Sequence, residues 1–215
     1  IACGQAAASS SFIQAYSIVR IPDTDKRKVI AEAAGGQPWI VKAAEFMVLC
    51  ADMQRINYAS QKSGQGELEG YTEHFIAATV DVALVAENIL LAAESCGLGG
   101  VFIGGIRNNP HVISELLDLP EYVYPAFGLC LGWPKRKNAT KPRMPVSAIL
   151  HEDCYNRDTI ASTVDNYDQQ MQTYYGERGD NAKISDWSSP TTSAIQGKKR
   201  EHMLGFLQKR GFLNN

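Results

Sequence analysis

Glu94-Ser-Cys-Gly-Leu-Gly-Gly-Val-Phe-Ile-Gly-Gly-Ile-Arg-Asn108 decides how the rest of the chain is read. A long apolar segment runs into Gly97, and four more glycines follow by Gly105. Glycines let a backbone approach a flat or anionic ligand closely, because no Cβ intervenes. The order of elements limits which ligand. A dinucleotide-binding turn follows a strand and opens a helix. These glycines instead follow a helical pattern and enclose a short apolar strand, Val101–Ile103. Spacing fails as well, since after Gly97 and Gly99 the third glycine would fall at Phe102. A phosphate-binding P-loop is excluded because Gly100 and Gly105 are followed by Ile106-Arg107, not by Lys and Ser or Thr.

Outward from this stretch, the apolar segment is a helix over Thr72–Cys96. Phe75, Ala78, Val82, Val85, Ile89 and Ala93 share one stripe, and much of the remainder is apolar too. Such a helix is buried in a core or between subunits. Asp81, Glu87 and Glu94 argue against a membrane span. Tyr16–Ile21 alternates as a strand, Asp25–Ala34 is a short helix closed by Gly35-Gly36, and Pro38 starts another. Phe46–Ala51 is an unbroken apolar run, expected as a strand buried on both faces. Gln54–Gly70 is polar and reads as a surface loop. Asn109–Leu117 is a helix and Tyr124–Leu131 a strand. Trp133–Pro145 is a basic loop, and Val146–Leu150 is a last strand. Asp165–Tyr175 and Ser193–Arg210 are helices, and Ile1–Ala8 is the end of one. Short strands separated by helices predict an α/β layer arrangement, with helices on both faces of one sheet.

The 215 residues suit one domain with an ample core. A formal net charge of −2 gives no global attraction to nucleic acid. Cys3, Cys50, Cys96, Cys130 and Cys154 are widely spaced, which suits free thiols in a reducing, cytoplasmic compartment. No leader pattern is visible. His74, His111, His151 and His202 show no ligand spacing, so no metal site is expected. Lys141-Pro-Arg143 puts two cations on a stiff backbone, which suits a phosphate. With Lys135, Arg136 and Lys137 nearby, the residues alone favour a solvated basic loop.

Ala93–Asn108 closely resembles the central flavin-binding stretch of the oxygen-insensitive nitroreductases, nearest their NADPH-dependent branch with the NADPH–flavin oxidoreductases. Ala8-Ser-Ser-Ser-Phe12, Gly35-Gly-Gln37, Ala44-Glu-Phe46, Phe127-Gly-Leu-Cys-Leu-Gly132 and Lys141-Pro-Arg-Met-Pro145 match in the same order. The resemblance implies an α/β (α+β) nitroreductase-like fold with one central mixed sheet, in an intertwined homodimer that holds FMN at the subunit interface. It implies a flavin-binding core over residues 1–150. Residues 151–215 would embrace the partner subunit and carry the NADPH loop, within a single structural domain. Ser9, Gln37, Phe102, Ile103, Gly104 and Gly105 would contact the flavin, and Lys141 and Arg143 its phosphate. Arg178 and Lys183 would read the 2′-phosphate of NADPH, and Arg107 and Arg200 would line the active site. The family's N-terminal His-Arg-Ser-x-Arg motif is not in this sequence, which implies a family chain about 30 residues longer at ordinary element lengths.

The activity implied is two-electron, ping-pong hydride transfer from NADPH through FMN to nitroaromatics, quinones or flavins. No side chain is expected as a catalytic acid or base, since the cofactor carries the chemistry. Flavin reductase activity, or flavin binding without turnover, stay open as alternatives.

Overall fold

The computed structural model describes residues 1–136, 140–179 and 182–215; Lys137, in the basic loop, lies outside them, as do two residues of the Gly176–Asp186 loop. The described residues fall into two compact units, residues 1–135 with 200–215, and residues 136–199.

The first unit is built on four strands: β1 Tyr16–Arg20, β2 Glu45–Asp52, β3 Gly99–Ile103 and β4 Val123–Gly132. They lie in the order β1-β2-β4-β3. Every pairing is antiparallel, so the sheet of the described residues is antiparallel where a mixed one was expected. Alternation sorts β2 onto two cores. Met47, Leu49 and Ala51 face one, and Phe46, Val48 and Cys50 face the other. All seven residues from Phe46 to Asp52 are buried, as the unbroken apolar run requires.

Helices cover both faces. The first core takes α5 (Thr72–Ser95), through Ala78, Val82, Val85 and Ile89, together with Phe206 and Leu207 of α9 (His202–Lys209). The second takes Ile30 and Ala31 of α2 (Thr24–Ala33), Ile40 of α3 (Pro38–Lys42) and Ile113 of α6 (Pro110–Leu116). Helix α5 is long and apolar enough to cross a membrane by length and composition. Here one side of it is core, and its Asp81 is buried with three hydrogen bonds. The short α1 (Ala2–Gln5) meets α5 at Gly4, where a Cβ would lie 2.5 Å from Ile89 Cγ1.

Three expectations fail for identifiable reasons. Gln54–Lys62 is a helix, α4, not loop. Its sequence is polar but has no glycine or proline, and Asp52 Oδ1 accepts from Gln54 N at 2.9 Å to start it. Asn57, buried in α4, accepts from Leu68 N and draws the following turn back over it. Val146–Leu150 is not a strand. Val146–Ala148 makes one 3-10 turn, and among the described residues no strand pairs with it. The expected single helix over Ser193–Arg210 is two, α8 (Ser188–Gly197) and α9, separated at Arg200 by a φ of +43°.

The second unit holds α7 (Ile160–Gly176) and α8. Tyr167, Met171 and Tyr175 of α7 form its small core, flanked by Met144, Tyr174 and Trp187. Asp168 Oδ1 accepts from the amides of Trp187 and Ser188 at 3.0 and 2.8 Å and so anchors the start of α8.

Candidate active site

Helix α2 ends on Gly35 and Gly36, at φ +85° and +76°. Left-handed backbone is cheap only for glycine, and it lets the amides of Gly36 and Gln37 both return to Ala31 O. This turns the chain so that Ala34 O faces the glycine stretch. A Cβ on Gly105 would fall well inside contact distance of that oxygen, so packing alone demands glycine there. Gly104 is different: a Cβ on it would meet only the Arg107 guanidinium, at 3.4 Å or beyond.

Asn108 ties these pieces together. Its Nδ2 donates to Ala34 O at 3.3 Å, and its Oδ1 accepts from Arg200 Nε and Nη2 at 3.0 and 2.9 Å. Arg200 Nη2 also donates to Gly104 O at 3.1 Å. Arg107 Nη1 donates to Ala126 O at 2.6 Å. Ala126 sits at the register shift between β2 and β4, where a carbonyl is released from the ladder. Burial, and then the neighbouring Arg200 charge, push the Arg107 guanidinium below its usual range. His202 Nε2 meets Arg107 O at 3.0 Å. Gln37, Gly104, Gly105, Arg107 and Arg200 thus belong to one constellation. Phe102 lies on the same strand end, edge-on to Phe127 at 5.5 Å, and half-exposed. Ile103 has its side chain in the core and can offer only backbone.

Ser9 stands elsewhere in this unit, at the head of a turn held by α5. Its hydroxyl donates to Asp81 Oδ2 at 2.7 Å and accepts from Gln14 N at 2.6 Å.

In the second unit, Lys141, Arg178 and Lys183 gather around one ring. Lys141 Nζ, Lys183 Nζ and Arg178 Cζ lie 5.4, 4.5 and 5.9 Å from the Tyr175 centroid. The hydrogen bond from Lys141, with the charges of Lys141, Lys183 and Arg178, pulls the Tyr175 phenol below its usual range. Arg143 is exposed, and its Nη1 donates to Lys141 O at 2.9 Å. Expected as separate clamps for two phosphates, Lys141 and the Arg178–Lys183 pair share a cluster. No described carboxylate pairs with any of these four cations. Two site elements were missed. Asn108 lay inside the quoted motif, and its adjacency to Arg107 was the only hint. Tyr175 ends α7 just before the cationic loop, a position whose meaning appears only with the three cations in place. Among the described residues no acidic, histidine or cysteine cluster could hold a metal.

In the first unit Gly104 leaves bare backbone open to a flat ring; in the second the three cations around Tyr175 make an anion-attracting cluster. An antiparallel sheet sandwiched by helices, with a glycine strand end flanked by two arginines, frames this site. The chain belongs to the nitroreductase family: the Nitroreductase family profile matches residues 1–133, and that of the Nitroreductase family, C-terminal domain, matches residues 141–215. It is 44% identical to the NADPH-flavin oxidoreductase of Vibrio harveyi, over 98% of this chain and 86% of that protein. It is 38% identical to the FMN reductase (NADPH) of Bacillus subtilis, again over 98% of this chain and 86% of that one. The solved NfrA1 nitroreductase of B. subtilis superposes with a TM-score of 0.94 at 36% identity, over all of this chain and 89% of that one.

Proposed function

We propose that this protein is an FMN-dependent oxidoreductase that takes electrons from NADPH and passes them to nitroaromatics, quinones or flavins. The observation that carries the reading is the joined Ala34–Gln37 and Gly104–Asn108 turns, with two guanidinium groups beside the open face of Gly104. When bound, FMN supplies the two-electron relay between donor and acceptor. The chain's own groups position and discriminate. Gln37 offers both a donor and an acceptor to the polar edge of a flavin ring. Gly104 lets a planar ring lie against bare backbone. The fixed charges of Arg107 and Arg200 attract an electron-rich oxygen of a nitro or carbonyl acceptor. Lys141 and Arg143 neutralise the FMN phosphate, while Arg178 and Lys183 favour a donor carrying a 2′-phosphate.

A homodimer completes the reading. Ile76, Val80, Leu84 and Leu91 form an exposed stripe on α5, opposite its buried face. Val146, Ile149 and Leu150 are also exposed, just ahead of the segment proposed to embrace a partner. Apolar area of this kind in a family member is accounted for by a second copy. Light scattering across the micromolar range should give twice the chain mass; a monomer throughout would remove the dimer. Five free thiols suit the cytoplasm.

The test of function is NADPH oxidation by the purified chain, with a nitroarene or with free FMN as acceptor. Consumption with the nitroarene supports the main reading, and consumption with FMN alone selects flavin reduction. No consumption despite a bound flavin band leaves flavin binding without turnover.

A further inference from the structure

We infer that Asp81 is a positioning residue, which sets the shape of the Ser9–Ala15 segment so that this segment can meet the cofactor. The inference rests on Ser9 being a flavin contact. A carboxylate on an apolar helix needs partners, because burying it unpaired is expensive. Asp81 is 1% exposed, and every bond it makes goes to that one segment. Its Oδ2 accepts from Ser9 Oγ at 2.7 Å and from Ala15 N at 3.1 Å, and its Oδ1 accepts from Ser10 N at 2.9 Å. A residue serving only the core would not collect its donors from both ends of a seven-residue turn.

The turn needs such an anchor. Ser11, Phe12 and Gln14 have φ of +46°, +59° and +51°. Non-glycine residues hold that backbone only where their surroundings over-determine it. The bond from Gln14 N to Ser9 Oγ at 2.6 Å closes the turn, and Asp81 orients the hydroxyl that accepts it. That arrangement also limits what Ser9 can do. Its single hydroxyl proton is given to Asp81 and one lone pair is used by Gln14, which leaves one lone pair. Ser9 Oγ can therefore meet a ligand only as an acceptor. The exposed hydroxyls of Ser10 and Ser11 and the exposed Gln14 amide are side-chain donors this turn has to offer.

The test uses the full chain with FMN added. Phe12 is 81% exposed and offers a chymotrypsin site that the pinned turn should protect. Asp81→Asn and Ser9→Ala should each speed cleavage after Phe12 about tenfold or more and weaken FMN binding by a similar factor. Ser9→Thr, which keeps the hydroxyl, should stay near the parent in both readouts. The thermal midpoint of Ser9→Ala should stay within a few degrees of the parent, since two of the three Asp81 bonds survive. Parent-like cleavage and affinity in Ser9→Ala would overturn the proposal. So would faster cleavage spread evenly over all sites, which would make Asp81 a general core residue. A parent that binds no FMN would sink Ser9 as a cofactor contact, while the Phe12 cleavage rates would still decide whether Asp81 holds the turn.

Discussion

The sheet unit and the Arg136–Lys199 unit use the same kinds of residue to opposite ends. In the sheet unit, Phe46, Val48, Leu49 and Leu129 are fully buried, and two helix layers close over both faces. In the other, three α7 side chains are the buried core among the described residues, while Val146, Ile149, Leu150 and Ile160 stay exposed. Cations differ in the same way. Arg27 of the sheet unit is buried and spends its guanidinium on Ile21 O, Ala43 O and Ala44 O. Lys141, Arg143, Arg178 and Lys183 stay at the surface with no described acid in an ion pair with them. One unit turns its apolar side chains and a cation inward, and the other leaves both kinds of residue at the surface.

Core truncation should give the largest effect and would break the comparison if the units responded alike. Gly128 has no Cβ because one would lie 2.7 Å from Phe46 Cε2, so this ring fills a space shaped around it. Phe46→Ala should cost about 3–5 kcal/mol in urea unfolding. Ile149→Ala, at a side chain 70% exposed, should change the stability of the dissociated chain by less than about 0.5 kcal/mol.

Next is Arg143. If the second unit's cations serve a ligand, Arg143→Ala should weaken FMN binding by about 1.5–3 kcal/mol, one to two decades, and leave riboflavin unaffected. Fluorescence quenching titrations of both flavins measure this. Equal loss for both would mean that Arg143 supports the fold. Arg178→Ala should act more narrowly, lowering kcat/KM for NADPH roughly tenfold while sparing NADH. An unchanged NADPH/NADH ratio would assign the Tyr175 cluster to some other anion.

The same contrast explains what was legible in the sequence. Strand β2 and helix α5 were readable because burial is written into consecutive or helically spaced apolar residues. Val146–Leu150 was misread because its apolar run signals burial without saying against what, and no described strand pairs with it. Helix α4 was missed because its fixing contacts, Asp52 at its start and Asn57 beneath the next turn, are polar. At the site, Gly104, Gly105 and Arg107 lay in a motif, and Arg200 was named from the family resemblance. The reason Gly105 is glycine, however, is Ala34 O, a contact across 71 positions that no local pattern carries.

The smallest effect concerns the thiols, and it tests the sheet unit from inside. Burial pushes Cys50 up to about 12 and Cys130 up to about 11, while Cys3, Cys96 and Cys154 are exposed. Thiolate is the reactive form, so three thiols should react with a disulfide reagent at pH 8 and two only after unfolding. The sign for stability follows from the same shift. Below the ordinary thiol range both folded and unfolded states keep the Cys50 proton, and nothing is lost. As pH rises past that range the unfolded chain releases the proton and the folded one does not, so stability falls. With the ordinary thiol value of 9.0, the loss from Cys50 at pH 9 should be about 0.4 kcal/mol, growing toward pH 12. Cys50→Ala should flatten the alkaline limb of the stability curve by that amount. An unchanged limb, or a fourth thiol reacting in the folded protein, would mean that the β2 face beneath α2 and α6 opens to solvent, and the contrast between the two units would weaken.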